Sequence, residues 1–317
     1  MREIAVFGGI SHPALTAEIC AHLAVPQRPG QLKRFANDCL EIQLQSNCRE
    51  RDVFLIQSLV RPVQEHLIEL LLMADAARGA SAARVTAVIP HYAYGRSDKK
   101  DAPRISIGGR LVADLLVTAG VNRVLTLNLH SPQVHGFFSV PVDHLHALRE
   151  LAGHFRGRDL SRAVVVSPDL GYAKSAAAFA RRLGVPVAAG AKERISDTEV
   201  TISAIIGDVA GRDAIVLDDE ISRGTTVFEL LDRLRDEGAR SVAVACTHGL
   251  FADNALDKLA ASEDVTEIVC TNSAPVPAEH PKLTVLSVAP AWPWPSGAST
   301  TASRSAPYST SRARFDQ

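Results

Sequence analysis

Short apolar, β-branched runs recur along this chain with a helical pattern between them. That alternation constrains the fold more than any other feature. The runs are Ile4–Phe7, Asp52–Ser58, Val85–Pro90, Val124–Leu129, Val164–Ser167, Val185–Ala189, Ala214–Leu217, Ser241–Cys246, Glu267–Thr271 and Leu283–Val288. Several are continuously apolar rather than alternating, as expected of parallel strands covered on both faces. Amphipathic patterns over Val63–Ala77, Ile107–Ala119, Tyr172–Leu183 and Thr226–Glu237 supply the crossovers, and Gly120 and Gly238 stand at helix C-caps. The expected class is α/β, with two similar doubly wound, mostly parallel sheet domains. A length of 317 residues suits two domains. The charged stretch "HFRGRDLSR" interrupts the series and divides it into residues 1–148 and 149–290. The tail, 291–317, is rich in Ser, Thr, Ala and Pro without a period and reads as disordered.

The formal net charge of −1 leaves no global field to draw the chain to nucleic acid or a membrane surface. No apolar run is long enough for a membrane span, and no secretory pattern opens the sequence, so a cytoplasmic protein is expected. Five cysteines without a CxxC pair fit neither a disulfide framework nor a zinc site.

Ligands of open parallel sheets sit at the carboxyl ends of the strands, so the residues after each run matter most. After Val85–Pro90 come Arg96, Asp98, Lys99, Lys100 and Arg104, interleaved with Tyr92 and Tyr94. Such a loop is either a solvated charged turn or a polyphosphate grip, for which arginine is well shaped. His130 follows the next strand as a structural histidine or a ligand. Asp169 follows Val164–Ser167 as a helix N-cap or a carboxylate near a magnesium ion. Lys192 and Arg194 fall two apart in "AKERISDTEVT", which could equally be an exposed hairpin. Asp218 and Asp219 end the run Ala214–Leu217 and are followed by "SRGTT" at a helix start. Carboxylates suit sugar hydroxyls or hydrated Mg2+, and a helix N-terminus suits a phosphate. Together they describe a sugar-phosphate site.

That loop resembles the phosphoribosyl-diphosphate motif of type I phosphoribosyltransferases. With "FGGISHPAL", "VIPHYAYGRSDKK", "LNLHSPQVHGFF", "VSPDLG", "KERISDTEV" and "CTHGLF" in this order, the chain resembles the ribose-phosphate diphosphokinases over residues 4–290. The resemblance implies transfer of the diphosphoryl group of ATP to ribose 5-phosphate, with Mg2+ and release of AMP. It implies that Phe35 and Asn37 meet adenine, that Arg96, Asp98, Lys99 and His130 attend the ATP phosphates, and that His130 and Asp169 border the metal. It places Lys192 and Arg194 on a mobile catalytic loop. Asp218 and Asp219 would face the ribose, and Ser222, Arg223, Gly224, Thr225 and Thr226 would wrap the 5-phosphate. It further implies a dimer-based homo-oligomer, such as a hexamer, whose adenine pocket borrows from a neighbour.

The sequence departs from the family pattern at Arg223 and Thr225, where threonine and glycine are usual. It departs also at Cys39, Asn128, Tyr172 and Ser175, and after Pro290. Two readings therefore stand: an active diphosphokinase, or a weakened paralogue that binds nucleotide or sugar phosphate as a regulatory subunit. A base-specific phosphoribosyltransferase would explain the paired aspartates but not the motifs on the ATP side.

Overall fold

The computed structural model describes residues 3–194 and 200–292. The first sheet takes strands β1 (Ile4–Gly8), β4 (Asp52–Ile56), β5 (Arg84–Ile89), β6 (Arg123–Leu127) and β7 (Val142–Leu145) in that spatial order, all parallel. Helices α1 (Pro13–Leu23), α2 (Val63–Gly79) and α3 (Gly108–Ala119) connect them. An antiparallel hairpin, β2 (Gly30–Arg34) and β3 (Leu40–Leu44), stands apart from this sheet. The hairpin and β7 fall outside the apolar runs of the sequence, because both mix polar with apolar residues and bury neither face fully.

Strand alternation explains the continuous apolar runs. On β1, Ala5 and Phe7 face the core shared with Leu70 of α2 and Val112 of α3, whereas Val6 faces Leu15 and Ile19 of α1. Each strand thus serves two cores, one per face.

The second half repeats the scheme. Its helices are α4 (Leu148–Phe155), α5 (Ala173–Leu183), α6 (Thr225–Asp236) and α7 (Ala255–Ala261). Its strands are β8 (Ala163–Ser167), β9 (Val187–Arg194), β10 (Val200–Ile206), β11 (Asp213–Ile221), β12 (Ser241–Gly249), β13 (Val265–Thr271) and β14 (Leu283–Leu286). The sheet order is β10-β9-β8-β11-β12-β13-β14, with only β9 and β10 antiparallel. Packing changes hands between Ala147, in the first core, and Leu148, in the second.

Two expectations need correction. The expected disordered tail began at residue 291, yet Ala291 closes a 3-10 turn and Trp292 is 4% exposed, packed beside α1 with Val288 and Ala289. A large aromatic surface outweighs the local effect of the prolines there. The rest of that tail lies outside the described residues. The second correction concerns β11, which continues through the acidic residues to Ile221 instead of stopping at Leu217. Its pairing with β12 persists, with Glu220 opposite His248 and Ile221 opposite Gly249.

Candidate active site

The carboxyl ends of the two sheets face each other. From the first half come His91 and Arg96 after β5, and Asn128 and His130 after β6. From the second come Asp218, Asp219 and Glu220 on β11 and His248 on β12. Buried His248 ties the halves together. Its Nε2 lies 3.1 Å from the Leu127 carbonyl and 3.2 Å from that of Asn128, and its Nδ1 is 2.8 Å from Ser273 Oγ. Burial, with His91 alongside, pushes its pKa down to about 4, so the ring is neutral at pH 7 and donates one proton, toward the carbonyls.

Because β11 is still a strand here, successive side chains point to opposite sides. Asp218, Glu220 and Ser222 line a cavity of about 210 Å3 together with Arg96, Arg223, Gly224, Thr225 and Thr226. Asp219 faces away from it and lies 2.8 Å from His130 Nδ1 through its Oδ2. The two aspartates are therefore not equivalent. Burial and the neighbouring Asp219 charge push the Asp218 carboxyl well above the usual range. Burial works against ionisation of Asp219 as well, but the bond to His130 prevails and holds it at about 2. The Asp219 amide also donates to Asp218 Oδ1 at 2.8 Å. His130 is raised in turn, chiefly by its bond to Asp219.

The loop after β11 meets its backbone requirement with one glycine. Gly224 has φ +75°, and a Cβ there would lie 3.0 Å from the Phe228 ring. It is the N-cap of α6 and brings no side-chain cap, so the first amides of the helix remain as donors at the cavity. Thr225 simply begins the helix. Arg223 borders the cavity, but its Nε is 2.8 Å from Asp253 Oδ2 and its side chain is 71% exposed.

Asp169 Oδ1 accepts from the Tyr172 amide at 3.0 Å and so closes the turn before α5 without capping the helix, whose N-cap is Tyr172; its charge also acts on Asp218. Among the described residues, no group of three or more His, Cys, Asp or Glu side chains is gathered as a metal cage. Lys192 and Arg194 lie on β9, opposite Ile202 and Val200 of β10, as an antiparallel hairpin rather than a free loop. The segment 195–199 between these strands lies outside the described residues. Phe35 is exposed at the β2–β3 turn under the Lys33 ammonium, and Asn37 Oδ1 accepts from the Cys39 amide. Neither lines the strand-end cavities. Lys99 pairs with Asp101 at 3.3 Å, and Asp98 is half-buried next to it.

Three residues of this site are not singled out by the sequence motifs: His91, Glu220 and His248. Glu220 was the third acid of "DDE" and would have stood out had β11 been extended. The two histidines directly follow or end β-branched runs, as His130 does. Tyr172 and Asn128, noted only as departures, prove to be neighbours, with Asn128 Nδ2 3.5 Å from the tyrosine hydroxyl.

Comparison with known proteins covers both halves of this site. Residues 4–120 match the pattern described as the N-terminal domain of ribose phosphate pyrophosphokinase, and residues 194–288 match the phosphoribosyl synthetase-associated domain. A Streptomyces coelicolor protein, provisionally named a ribose-phosphate pyrophosphokinase, is 71% identical over 92% of each chain. The ribose-phosphate pyrophosphokinase of Deinococcus radiodurans is 49% identical over 90% of this chain and 91% of its own. The crystal structure of phosphoribosylpyrophosphate synthetase from Mycobacterium smegmatis superposes with a TM-score of 0.86 at 38% identity, over 91% of this chain and 96% of that one. With both sheets and the strand-end cavity between them covered by these likenesses, the chain belongs to the ribose-phosphate pyrophosphokinase family.

Proposed function

We propose that this chain transfers the diphosphoryl group of ATP to the C1 hydroxyl of ribose 5-phosphate, giving phosphoribosyl diphosphate and AMP for nucleotide biosynthesis. One observation carries the reading: Arg96 of the first half shares a cavity with Asp218, Ser222 and the open helix start of the second. A cation for polyphosphate, a carboxyl for sugar hydroxyls and free amides for a phosphate thus converge on one space.

In this reading the α6 amides, with Ser222 and Thr226, hold the 5-phosphate. Asp218 faces the ribose hydroxyls, and its raised pKa lets it donate as well as accept. Asp219 keeps its charge through His130 and fixes that ring, leaving Nε2 toward the phosphates. The C1 hydroxyl then attacks the β-phosphorus in line, a transfer governed by positioning and charge compensation. Lys192 and Arg194 stabilise charge that grows in the transition state. Mg2+ can be carried on substrate phosphates with few protein ligands, so the transfer does not depend on a protein-built cage. Asp169 and His130 would border that ion, which supplies neutralisation of the phosphate charge.

Phe35 and Asn37, on the exposed β2–β3 turn, meet adenine from a neighbouring subunit in a dimer-based homo-oligomer. No helix among the described residues is long and apolar enough to cross a membrane, in keeping with a cytoplasmic setting. The test is incubation with ATP, Mg2+ and ribose 5-phosphate, scoring AMP and phosphoribosyl diphosphate. Both should appear, vanish with a chelator and return with excess Mg2+. Tight ATP binding without either product would favour the regulatory-subunit reading.

A further inference from the structure

We propose that Glu220 is a positioning residue that aims Arg96 at the ATP polyphosphate. The inference rests on Arg96 being a phosphate ligand and goes beyond it by naming what holds the guanidinium in place.

Glu220 borders three adjoining cavities at the junction of the halves, and its side chain is 13% exposed. Its two oxygens are divided between two residues of one connection. Oε1 lies 3.3 Å from Arg96 Nη2, and Oε2 lies 3.0 Å from His91 Nε2. His91 is itself fixed, because its Nδ1 is 2.8 Å from the Leu59 carbonyl, which can only accept. Between these two points the chain is pinned as well. The Tyr92 hydroxyl donates to the Gly109 carbonyl at 2.9 Å, and the Gly95 amide donates to the Tyr92 carbonyl at 2.9 Å. One carboxylate of the second half thus clamps both ends of the segment 91–96 of the first.

A carboxylate inside a polyanion site is otherwise a liability. Here one of its oxygens faces His91 and the other faces Arg96, so a cationic or donor group stands against each. The charge is thereby compensated before any phosphate arrives. Arg96 has a half-exposed side chain with several free torsions, and such an arginine loses substantial rotamer freedom when a ligand fixes it. Glu220 takes up part of that cost beforehand, which is pre-organisation for the nucleotide and not for the sugar. A purely structural bridge between the halves would instead affect stability and both substrates alike.

The experiment is a double-mutant cycle on the full-length protein, with KM for ATP, KM for ribose 5-phosphate, kcat and the thermal midpoint measured for each variant. Glu220→Gln keeps the shape and removes the charge. It should raise KM for ATP about five- to tenfold. KM for ribose 5-phosphate should stay within about twofold. In an Arg96→Ala background the same change should add almost nothing to KM for ATP. If Arg96→Ala leaves KM for ATP unaltered, Arg96 is not a phosphate ligand and the underlying reading fails. If Arg96→Ala raises it but Glu220→Gln does not, or if the two effects simply add, Glu220 does not act through Arg96. Should Glu220→Gln not fold, Glu220→Asp shortens the reach and keeps the charge. It should raise KM for ATP about two- to threefold, and no rise would equally overturn the proposal.

Discussion

Replacing His130 by alanine tests the division of labour between the two aspartates. Asp219 is buried and held at about 2 against an ordinary 3.8. At about 1.4 kcal/mol for each pH unit, that difference corresponds to about 2 kcal/mol of stability contributed by the ionised form. The His130 side chain is 42% exposed, so its own raised value is screened by solvent and adds no separate figure. A depressed carboxyl contributes above its unfolded value of 3.8, and that contribution is lost as pH falls toward 2. A raised histidine contributes below its unfolded value of 6.5 and ceases to do so as pH rises through its folded value. The charge pair is therefore fully effective between these two unfolded values. Without the imidazole, Asp219 loses the largest of the influences that oppose its burial, and its pKa rises. Urea unfolding of native protein and His130→Ala should differ by about 2 kcal/mol near pH 6. The gap should narrow toward pH 3 and again as pH rises through the raised His130 value, beyond which a neutral ring still donates one hydrogen bond. A difference that does not vary with pH, or that widens through the alkaline range, would refute the charge-pair argument.

Other outcomes follow from the same geometry. Lys192→Ala and Arg194→Ala should each lower kcat by up to roughly three orders of magnitude with little change in KM, because their contacts belong to the transition state. Initial-rate kinetics on both substrates would check this, and an unchanged kcat in both variants would remove the segment from the mechanism. Gly224→Ala forces a Cβ into the left-handed region and against Phe228. It should cost about 1–2 kcal/mol of stability and raise KM for ribose 5-phosphate, and a variant with native melting and native KM would contradict the cap assignment. Trp292→Ala removes a buried aromatic next to α1 and should destabilise by about 3–5 kcal/mol in denaturant titration.

Parallel strands were legible because burial on both faces leaves runs such as "AVVV" and "AIVL" with no polar residue to break them. Elements half open to solvent were not. The hairpin β2–β3 carries Lys33, Arg34 and Glu41, and β10 adds to a sheet edge. For the site, local motifs point to Arg96, His130 and the Asp218–Thr226 loop, which the structure brings together at the strand ends, because strand-end chemistry is written in adjacent residues. What sequence could not supply was the opposition of the two halves. His91 and Glu220 are 129 positions apart, and His248 reaches the Leu127 carbonyl across 121. Neither has a partner within its own motif, so each reads as an unremarkable polar residue until the sheets face one another.

Arg223 and Thr225 depart from the usual loop, and Asn128 and Tyr172 from the usual strand ends, and the structure accounts for these four locally. Arg223 is drawn to the rim by Asp253, an exposed pairing worth about 0–1 kcal/mol. That is enough to bias where the guanidinium rests and too little to close the cavity. Thr225 occupies the first helical position, outside the left-handed region, so the loop does not need glycine there. The position that does need it, at φ +75°, is Gly224, and it is glycine. Asn128 and Tyr172 depart together and touch each other, with Asn128 Oδ1 also accepting from the Ala147 amide at 2.8 Å. That arrangement fills space beside Asp218 and Asp219 while leaving the charged pair His130–Asp219 intact. Decay of an active site would be expected to strip such buried charges first, since without function they cost stability. Here each buried carboxylate of the strand end retains a compensating partner or a raised pKa.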